Sequence, residues 1–409
     1  MQDNQKATAN ITHSAVDSAE KVAERTRAPI MKDSQGREHS SLRSTAYGVA
    51  TEAIARLLRS PLYIILFVSD KCWMRCSHCW FNEDWKDREL TQSPLTFEEY
   101  EKLARSISSI GFLSITGGEA FQRRDIVELA TMFRKTTRLG RYQIPTSGYR
   151  TELIVDAAEQ LLRANPTTPF RIDVSLDGIA DIHNTIRNTK DGFDKAVLTI
   201  KELNKLKNHY SHFDVGVITT LSRLNQHVVR ETAALVESIH PEGEWMINIA
   251  RGISRDQTAV EVDPEAYRLA HRIIENRIAR GAYKGHSGHW TAKWLSAKNA
   301  ARREIINEII KGHRTGGGCA AGALAGVIQT DGTVKACEML DDSLGNIRDF
   351  DYDLVKLWQS KSARAIRRFI QDTNCQCTQE CFLSVSMLIS PDAWRKMAVA
   401  RWNLYRNEI

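Results

Sequence analysis

The 409-residue chain is 42% hydrophobic and 26% charged, the balance of an ordinary globular protein with room for a substantial core. Its formal charge of +6 is spread along the chain rather than gathered into a basic arm, which argues against a nucleic-acid partner. The longest apolar run, PLYIILFV (61–68), is too short to span a bilayer, and the first ten residues lack the apolar centre of a signal peptide; a cytoplasmic protein without a membrane span is expected.

Residues 1–43 are polar, rich in Ala, Ser and Lys and without sustained periodicity, so they are expected to be disordered. A helix is expected over 44–60, where Val49, Ile54, Leu57 and Leu58 recur at helical spacing. Alternating strands and helices then run to residue 255. LYIILFV (62–68) reads as the first strand. TFEEYEKLARSISSI (96–110) places Thr96 and Glu99 at capping-box spacing and Phe97, Tyr100, Leu103, Ala104 and Ile107 on one face. FLSIT (112–116), RYQIPT (141–146), FRIDVSL (170–176), FDVGVITT (213–220) and EWMINIA (244–250) are the next strands, with helical periodicity after each of the first four. Such repeats predict an α/β fold, a partial (βα)6 TIM-type barrel. Beyond it, helices are expected at 264–280 and 291–313, interrupted by GAYKGHSGH, and a last one at 391–406. The expected domains are a barrel core at 44–255, a helical linker at 256–315, a small α+β module at 316–385 and a C-terminal helix within 386–409.

Eight cysteines are distributed as three between 72 and 79 and five between 319 and 381. A chain this long needs no disulfide staples, and pairing within the first trio leaves a thiol over, so ligation is the simpler reading. CWMRCSHC (72–79) offers three thiolates in one short loop. Zinc held by a Cys3His set with His78 is one possibility, but His78 directly precedes Cys79, and adjacent side chains in a tight loop rarely converge on one tetrahedral ion. A four-iron cluster on Cys72, Cys76 and Cys79 instead keeps one iron without a protein ligand, open to a cofactor or substrate. In parallel barrels ligands sit at the carboxyl ends of the strands, and there this chain places the cysteine loop, TGGEA, PTSG, SLDG and an Arg-Gly pair.

Cys-x3-Cys-x2-Cys after a first barrel strand resembles the signature of the radical S-adenosylmethionine enzymes. The resemblance implies that Cys72, Cys76 and Cys79 bind a 4Fe-4S cluster whose open iron holds the amino and carboxylate groups of S-adenosylmethionine. One electron then cleaves the cofactor to methionine and a 5′-deoxyadenosyl radical, which abstracts a hydrogen atom from substrate. TGGEA resembles the family's glycine–glycine–glutamate motif, which assigns Gly117, Gly118 and Glu119 to the cofactor's ammonium; Ala120 stands where the family usually has proline. In IPTSG, Ser147 replaces the family's asparagine. VSLDGIADIHNTIRNTKDGF resembles the fourth-strand segment of family members with a SPASM or Twitch extension. That implies cofactor contacts from Ser175 and Arg187, with a plain turn as the alternative reading of Asp177–Gly178. Ile249, with Ile247, either frames the adenine or belongs to the core, and His78 occupies the place of a family aromatic.

The segment from Cys319 to Cys337 contains a hairpin around Asp331–Gly332. Its spacing resembles the opening of the SPASM/Twitch module, which implies an auxiliary 4Fe-4S cluster. CQCTQEC adds Cys375, Cys377 and Cys381. Five cysteines fall short of the seven that two clusters use, so one auxiliary cluster is expected on Cys319, Cys337 and two of the last three, with one thiol left over. The resemblance further implies an external electron donor such as flavodoxin or ferredoxin. A short module and a polar N-terminal segment favour a small-molecule substrate, a saccharide-like or other natural-product intermediate, over the alternative of a ribosomally made peptide. A zinc-binding regulatory protein would leave the glycine–glycine–glutamate and fourth-strand motifs without purpose.

Overall fold

The computed structural model describes residues 41–81, 93–282, 290–313, 315 and 318–405. The expectations for 1–40 and for most of the 281–289 interruption lie outside these residues. A leading helix α1 (Ser41–Leu58) precedes strand β1 (Tyr63–Ser69). The alternation continues through α2 (Phe97–Arg105), β2 (Ser109–Gly117), α3 (Ile126–Thr136), β3 (Arg138–Thr146), α4 (Thr151–Ala164) and β4 (Phe170–Ser175). It ends with α5 (Ala180–Arg187), α6 (Gly192–Lys207), β5 (Phe213–Leu221), α7 (Val229–Ile239) and β6 (Glu244–Ile249). Two long helices follow, α8 (Pro264–Ala279) and α9 (Trp290–Ile310).

Each neighbouring pair from β1 to β6 is parallel, as a partial (βα)6 barrel requires. Register sorts the side chains into two faces. Tyr142, Phe170 and Phe213 stack on the face covered by helices, with ring centroids 4.5 and 5.3 Å apart. Leu129, Leu161, Leu162, Ile200 and Leu203 of the covering helices are fully buried beside them. On the opposite, inner face Ile65, Ser114, Gln143, Arg171 and Asp214 lie in register across five strands. That face is strongly polar. Arg171 bonds Asp173 at 2.5 Å, Asp214 at 3.0 Å and Glu244 at 2.6 Å, so the buried charges are held as a network rather than singly.

Local signals account for most boundaries. Thr96 and Glu99 close the anticipated capping box at the start of α2, an arrangement worth about 1 kcal/mol. The strands β2 and β3 are longer than their apolar centres because their edges are polar. The helix α5 was absent from the sequence reading: eight residues, five of them polar, carry no sustained period. It stops where Asn188 enters the left-handed region at φ 53°.

The cysteine-rich segment does not form a sheet of its own. β7 (Ala325–Ile328) pairs parallel to β1, Tyr63 opposite Ala325, and β8 (Thr333–Lys335) and β9 (Ser343–Asn346) continue antiparallel. One nine-stranded sheet results, in the order β6-β5-β4-β3-β2-β1-β7-β8-β9. The hairpin turns at Gly332, whose φ of +85° suits glycine. Helices α10 (Leu354–Trp358), α11 (Lys361–Asp372), α12 (Glu380–Ser386) and α13 (Pro391–Tyr405) complete the described chain. Trp358 is fully buried against Gly326, as its expected core role demands. A second small core of Ala301, Ile305, Met387 and Ala393 joins α9 to the C-terminal helices. No helix among the described residues is long and apolar enough to cross a membrane.

Candidate active site

The loop carrying Cys72, Cys76 and Cys79 leaves the carboxyl end of β1 and is tied down by two other segments. From α5, the Ile186 carbonyl accepts from the Ser77 amide at 2.8 Å. After β6, the Asp256 amide donates to Ser77 O at 2.7 Å, and the Arg255 guanidinium donates to Cys76 O at 2.9 Å. Sequence reasoning missed Arg255. It lies beyond the last strand, and its use of a backbone carbonyl leaves no side-chain motif to find.

All eight cysteines are free thiols. Burial is the main cause that pushes Cys72 up to about 11 and Cys79 up to about 12, and neighbouring thiolates add to both. The trio is therefore close enough for each sulfur to feel the others. Arg187 works in the opposite sense on Cys72 and Cys76, favouring the thiolate that a metal centre needs. Among the described residues no three His, Cys, Asp or Glu side chains converge tightly enough to grip a single ion. An iron–sulfur cluster asks for less convergence, because it spreads its thiolates over separate irons. The donor set of three mutually close thiols with a cation beside them fits such a cluster.

Gly117 and Gly118 serve a purpose that sequence alone did not reveal. A Cβ on Gly117 would lie 2.2 Å from Ser69 O, and one on Gly118 would lie 2.5 Å from Lys71 O. Their freedom lets the second loop lie directly on the backbone leading into Cys72. The Gly118 and Glu119 amides seal this approach by donating to Ser69 O at 2.7 Å and Lys71 O at 2.8 Å. Glu119, 2% exposed, is then aimed by the third loop. Its Oε2 accepts from Thr146 Oγ1 at 3.0 Å, Ser147 N at 2.9 Å and Ser147 Oγ at 2.7 Å. Its Oε1 has only a 3.4 Å contact from the Phe121 amide, which leaves that oxygen free for another donor. Burial raises the pKa of Glu119 against these bonds, so the pocket favours a cationic partner for it.

Asp177 and Arg187 form a fully buried pair. Arg187 Nε and a terminal nitrogen each lie 2.7 Å from Asp177 Oδ2. Burial alone would raise Asp177, but Arg187, His78 and His183 with the Thr220 amide leave it below the ordinary carboxylate value. Asp177 is thus more than a turn residue: it fixes Arg187 beside Cys72 and Cys76. His183 Nδ1 accepts from the Asp177 amide at 3.1 Å and holds the loop, while burial and Arg187 depress its pKa to about 4. His78 is buried with Nε2 3.9 Å from Asp177. It packs on this pair, and burial lowers its pKa. Ser175 lies at the end of β4 on the inner-face register. Ile249 is 4% exposed and shares the β6 face of Trp245 and Ile247 within the main core.

Of the five later cysteines, the fold gathers four. Cys319 and Cys375 are in hydrogen-bond contact, and Cys337 and Cys377 both interact with Cys319. Burial is the first cause that raises Cys337 and Cys377, the latter to about 11. Cys381 faces elsewhere. Its thiol lies against the Tyr63 hydroxyl on the inner face, near Glu338 and Arg251.

Two family models match this chain. Residues 66–236 match the radical SAM superfamily, and residues 319–382 match SPASM, an iron–sulfur cluster-binding domain. The chain belongs to the radical SAM superfamily and carries a C-terminal SPASM module. Its cofactors are S-adenosylmethionine and 4Fe-4S clusters. Similar curated proteins include a GTP 3′,8-cyclase of Actinobacillus pleuropneumoniae serotype 5b (strain L20), 30% identical over 112 residues, which are 27% of this chain. That match spans only 33% of the cyclase. The sporulation killing factor maturation protein SkfB of Bacillus subtilis (strain 168) is 23% identical over 329 residues, covering 79% of this chain and 70% of SkfB. Among solved structures, Streptococcus suis SuiB bound to its precursor peptide SuiA superposes with a TM-score of 0.55 at 14% identity, covering 94% of this chain and 87% of SuiB. That likeness establishes the fold.

Proposed function

We propose that this protein is a radical SAM enzyme that abstracts a hydrogen atom from a peptide substrate held at the inner face of its barrel. The carrying observation for the chemistry is the three-thiol loop, pinned at the strand ends beside Glu119 and the Asp177–Arg187 pair. Bound there, the cluster and S-adenosylmethionine supply a 5′-deoxyadenosyl radical. The chain's own residues orient and enclose. Cys72, Cys76 and Cys79 hold the cluster, and Arg187 favours their thiolate forms. Glu119 Oε1 takes the cofactor ammonium, with Gly117 and Gly118 letting its loop close on the cysteine segment. Ser147 aims Glu119, and Ser175 presents a hydroxyl to the cofactor. Ile249 acts as core support for the rim.

Cys319, Cys337, Cys375 and Cys377 hold one auxiliary 4Fe-4S cluster, and Cys381 is the thiol outside it. An external one-electron donor of the flavodoxin or ferredoxin kind reduces the enzyme. The peptide reading rests on SkfB, whose match covers 79% of this chain, more than the barrel alone. We favour it over the small-molecule substrate expected from module length, as the cyclase match is confined to about a quarter of this chain; a Fe-coproporphyrin III synthase of Methanosarcina barkeri (strain Fusaro / DSM 804), 23% identical over 74% of this chain, supports the small-molecule reading. Anaerobic reconstitution should yield about four irons per cluster and two clusters per chain, with reductive formation of 5′-deoxyadenosine. Incubation with short peptides encoded beside the gene should change one peptide's mass. Zinc in place of iron, or no cofactor cleavage, removes the enzymatic reading. Cleavage with a small carbon acid as the only modified substrate restores the small-molecule one.

A further inference from the structure

Two parallel strands end on the same side of their sheet. Because β7 runs parallel to β1, with Leu66 opposite Ile328, the turn after β7 emerges at the rim where the cysteine loop leaves β1. This turn, 329–332, is closed by the Gly332 amide donating to Gln329 O at 3.0 Å. The Asp331 carboxylate braces it from within, accepting from the Thr333 amide at 2.9 Å and the Thr333 hydroxyl at 3.0 Å. Asn346 and Arg348 hold the Asp331 carbonyl at 2.9 and 3.0 Å. Leu95, just before α2, donates its amide to Thr330 O at 2.7 Å and so ties the turn to the barrel.

From this fixed turn one side chain reaches into the cofactor rim. Thr330, 1% exposed, donates its hydroxyl to Asp70 Oδ1 at 2.6 Å. That length is typical of a hydroxyl bonded to a carboxylate, which is stronger than a bond between neutral groups. Asp70 is the middle residue of the stretch on which the Gly118–Glu119 loop is laid. The carbonyls on either side of it, Ser69 O and Lys71 O, accept the Gly118 and Glu119 amides at 2.7 and 2.8 Å. The Lys71 amide returns to Ser69 Oγ at 3.2 Å, so 69–71 is itself a tight turn. Any rotation about Asp70 shifts both carbonyls, and with them the backbone of Glu119. The bond from Thr330 opposes that rotation.

We propose that Thr330 is a positioning residue for the S-adenosylmethionine site, acting from the cysteine module through Asp70 to fix the 69–71 turn that carries Gly118 and Glu119. The module then serves the three-thiol centre as well as its own cysteines. This role rests on the assignment of the Gly118–Glu119 loop to the cofactor and adds to it the residue that holds the loop's footing. It differs from plain packing in what it requires of residue 330. Packing needs only the volume of the side chain, which valine supplies, whereas positioning needs the hydroxyl, which serine supplies.

The test uses the reconstituted full-length enzyme without oxygen. S-adenosylmethionine affinity is read by equilibrium dialysis and by the change the cofactor makes in the electron paramagnetic resonance signal of the reduced protein, and iron is counted in each variant. T330V should bind the cofactor about fivefold more weakly, the scale of one hydrogen bond, with its iron intact, and T330S should recover most of the loss. T333V, which deletes another hydroxyl bond of the same turn, should bind as the unaltered enzyme does. D70A should weaken binding by itself, and D70A/T330V should be no weaker than D70A, because the two residues act in series. Unchanged affinity in T330V, failure of T330S to recover it, loss of iron from T330V, an equal defect in T333V or a further fivefold step in D70A/T330V each overturns the proposal. E119Q, measured alongside, separates the two readings. Weaker binding by E119Q with none by T330V removes the role of Thr330 and keeps Glu119 on the ammonium. Weaker binding by T330V with none by E119Q keeps the turn and takes the ammonium away from Glu119.

Discussion

Cys72, Cys76 and Cys79 sit in eight consecutive positions, whereas Cys319, Cys337, Cys375 and Cys377 come from three separated stretches. The first trio is presented by one loop, and its neighbours pin the loop's backbone rather than adding ligands. The second set exists only because β7 joins β1 and the segment after α11 folds back onto Cys319. In the first group two cations, Arg187 and Arg255, offset burial. In the second the nearest charges include Glu338, itself raised by burial, as well as Arg251. On the proposed assignment, the centre with an open iron is assembled locally and the one with four thiols by the tertiary fold.

Removing the trio is the most drastic way to divide the two groups. A C72A/C76A/C79A enzyme should lose about four irons, keep about four and form no 5′-deoxyadenosine. Loss of all iron would mean that the second group depends on the first. Conversely, C375A and C377A should each cost about four irons, while C381A should keep the full content. Full iron in C377A and a deficit in C381A would exchange the assignments of those two residues.

The Asp177–Arg187 pair sharpens the local half of the comparison. Asp177→Asn leaves Arg187 buried without its counter-charge, a change that typically costs about 3–5 kcal/mol. Urea unfolding of the iron-free protein should show that loss. A loss below about 1 kcal/mol would mean that the cysteines and solvent already satisfy Arg187. Glu119→Gln should do less to the fold, since its hydrogen-bond donors keep an acceptor. Its effect should fall on cofactor affinity, weakened about tenfold or more by loss of a charged hydrogen bond, about 1.5–3 kcal/mol, with iron content intact. Unchanged affinity would take the ammonium away from Glu119.

The sequence was informative where a feature is local. The six parallel strands follow from alternating apolar runs, and the cysteine loop, Glu119 and Ser147 fall at strand ends where a barrel collects ligands. The role of the two glycines was only half visible, because the surface they approach is the 69–71 backbone. The pairing of Asp177 with Arg187 was not visible, since nothing in its neighbourhood says that Arg187 returns to it one helix later. The parallel pairing of β7 with β1 joins residues more than 250 positions apart, and four apolar residues do not specify such a partner.

The smallest expected effect concerns the seam between the barrel and the cysteine module. Glu99, the capping-box residue of α2, accepts from Arg348 at 2.6 and 2.9 Å and from the Tyr352 hydroxyl at 2.7 Å, both residues following β9. Its bonds to Arg348 are the chief reason that its pKa falls to about 2. The folded state therefore holds its proton more weakly than the unfolded chain does. Stability from this contact is complete above the unfolded carboxylate value of about 4.3 and is lost as pH falls toward 2. Because the bridge is partly open to solvent, its worth is on the order of 1 kcal/mol. Melting of the iron-free protein should show Glu99→Gln less stable at pH 7 by about that amount, with the gap closing between pH 4.5 and 2. A gap constant through that range would assign the loss to the helix cap instead. The seam would then be held by apolar packing and by the remaining bonds of Arg348 to the 93–94 and Asp331 carbonyls.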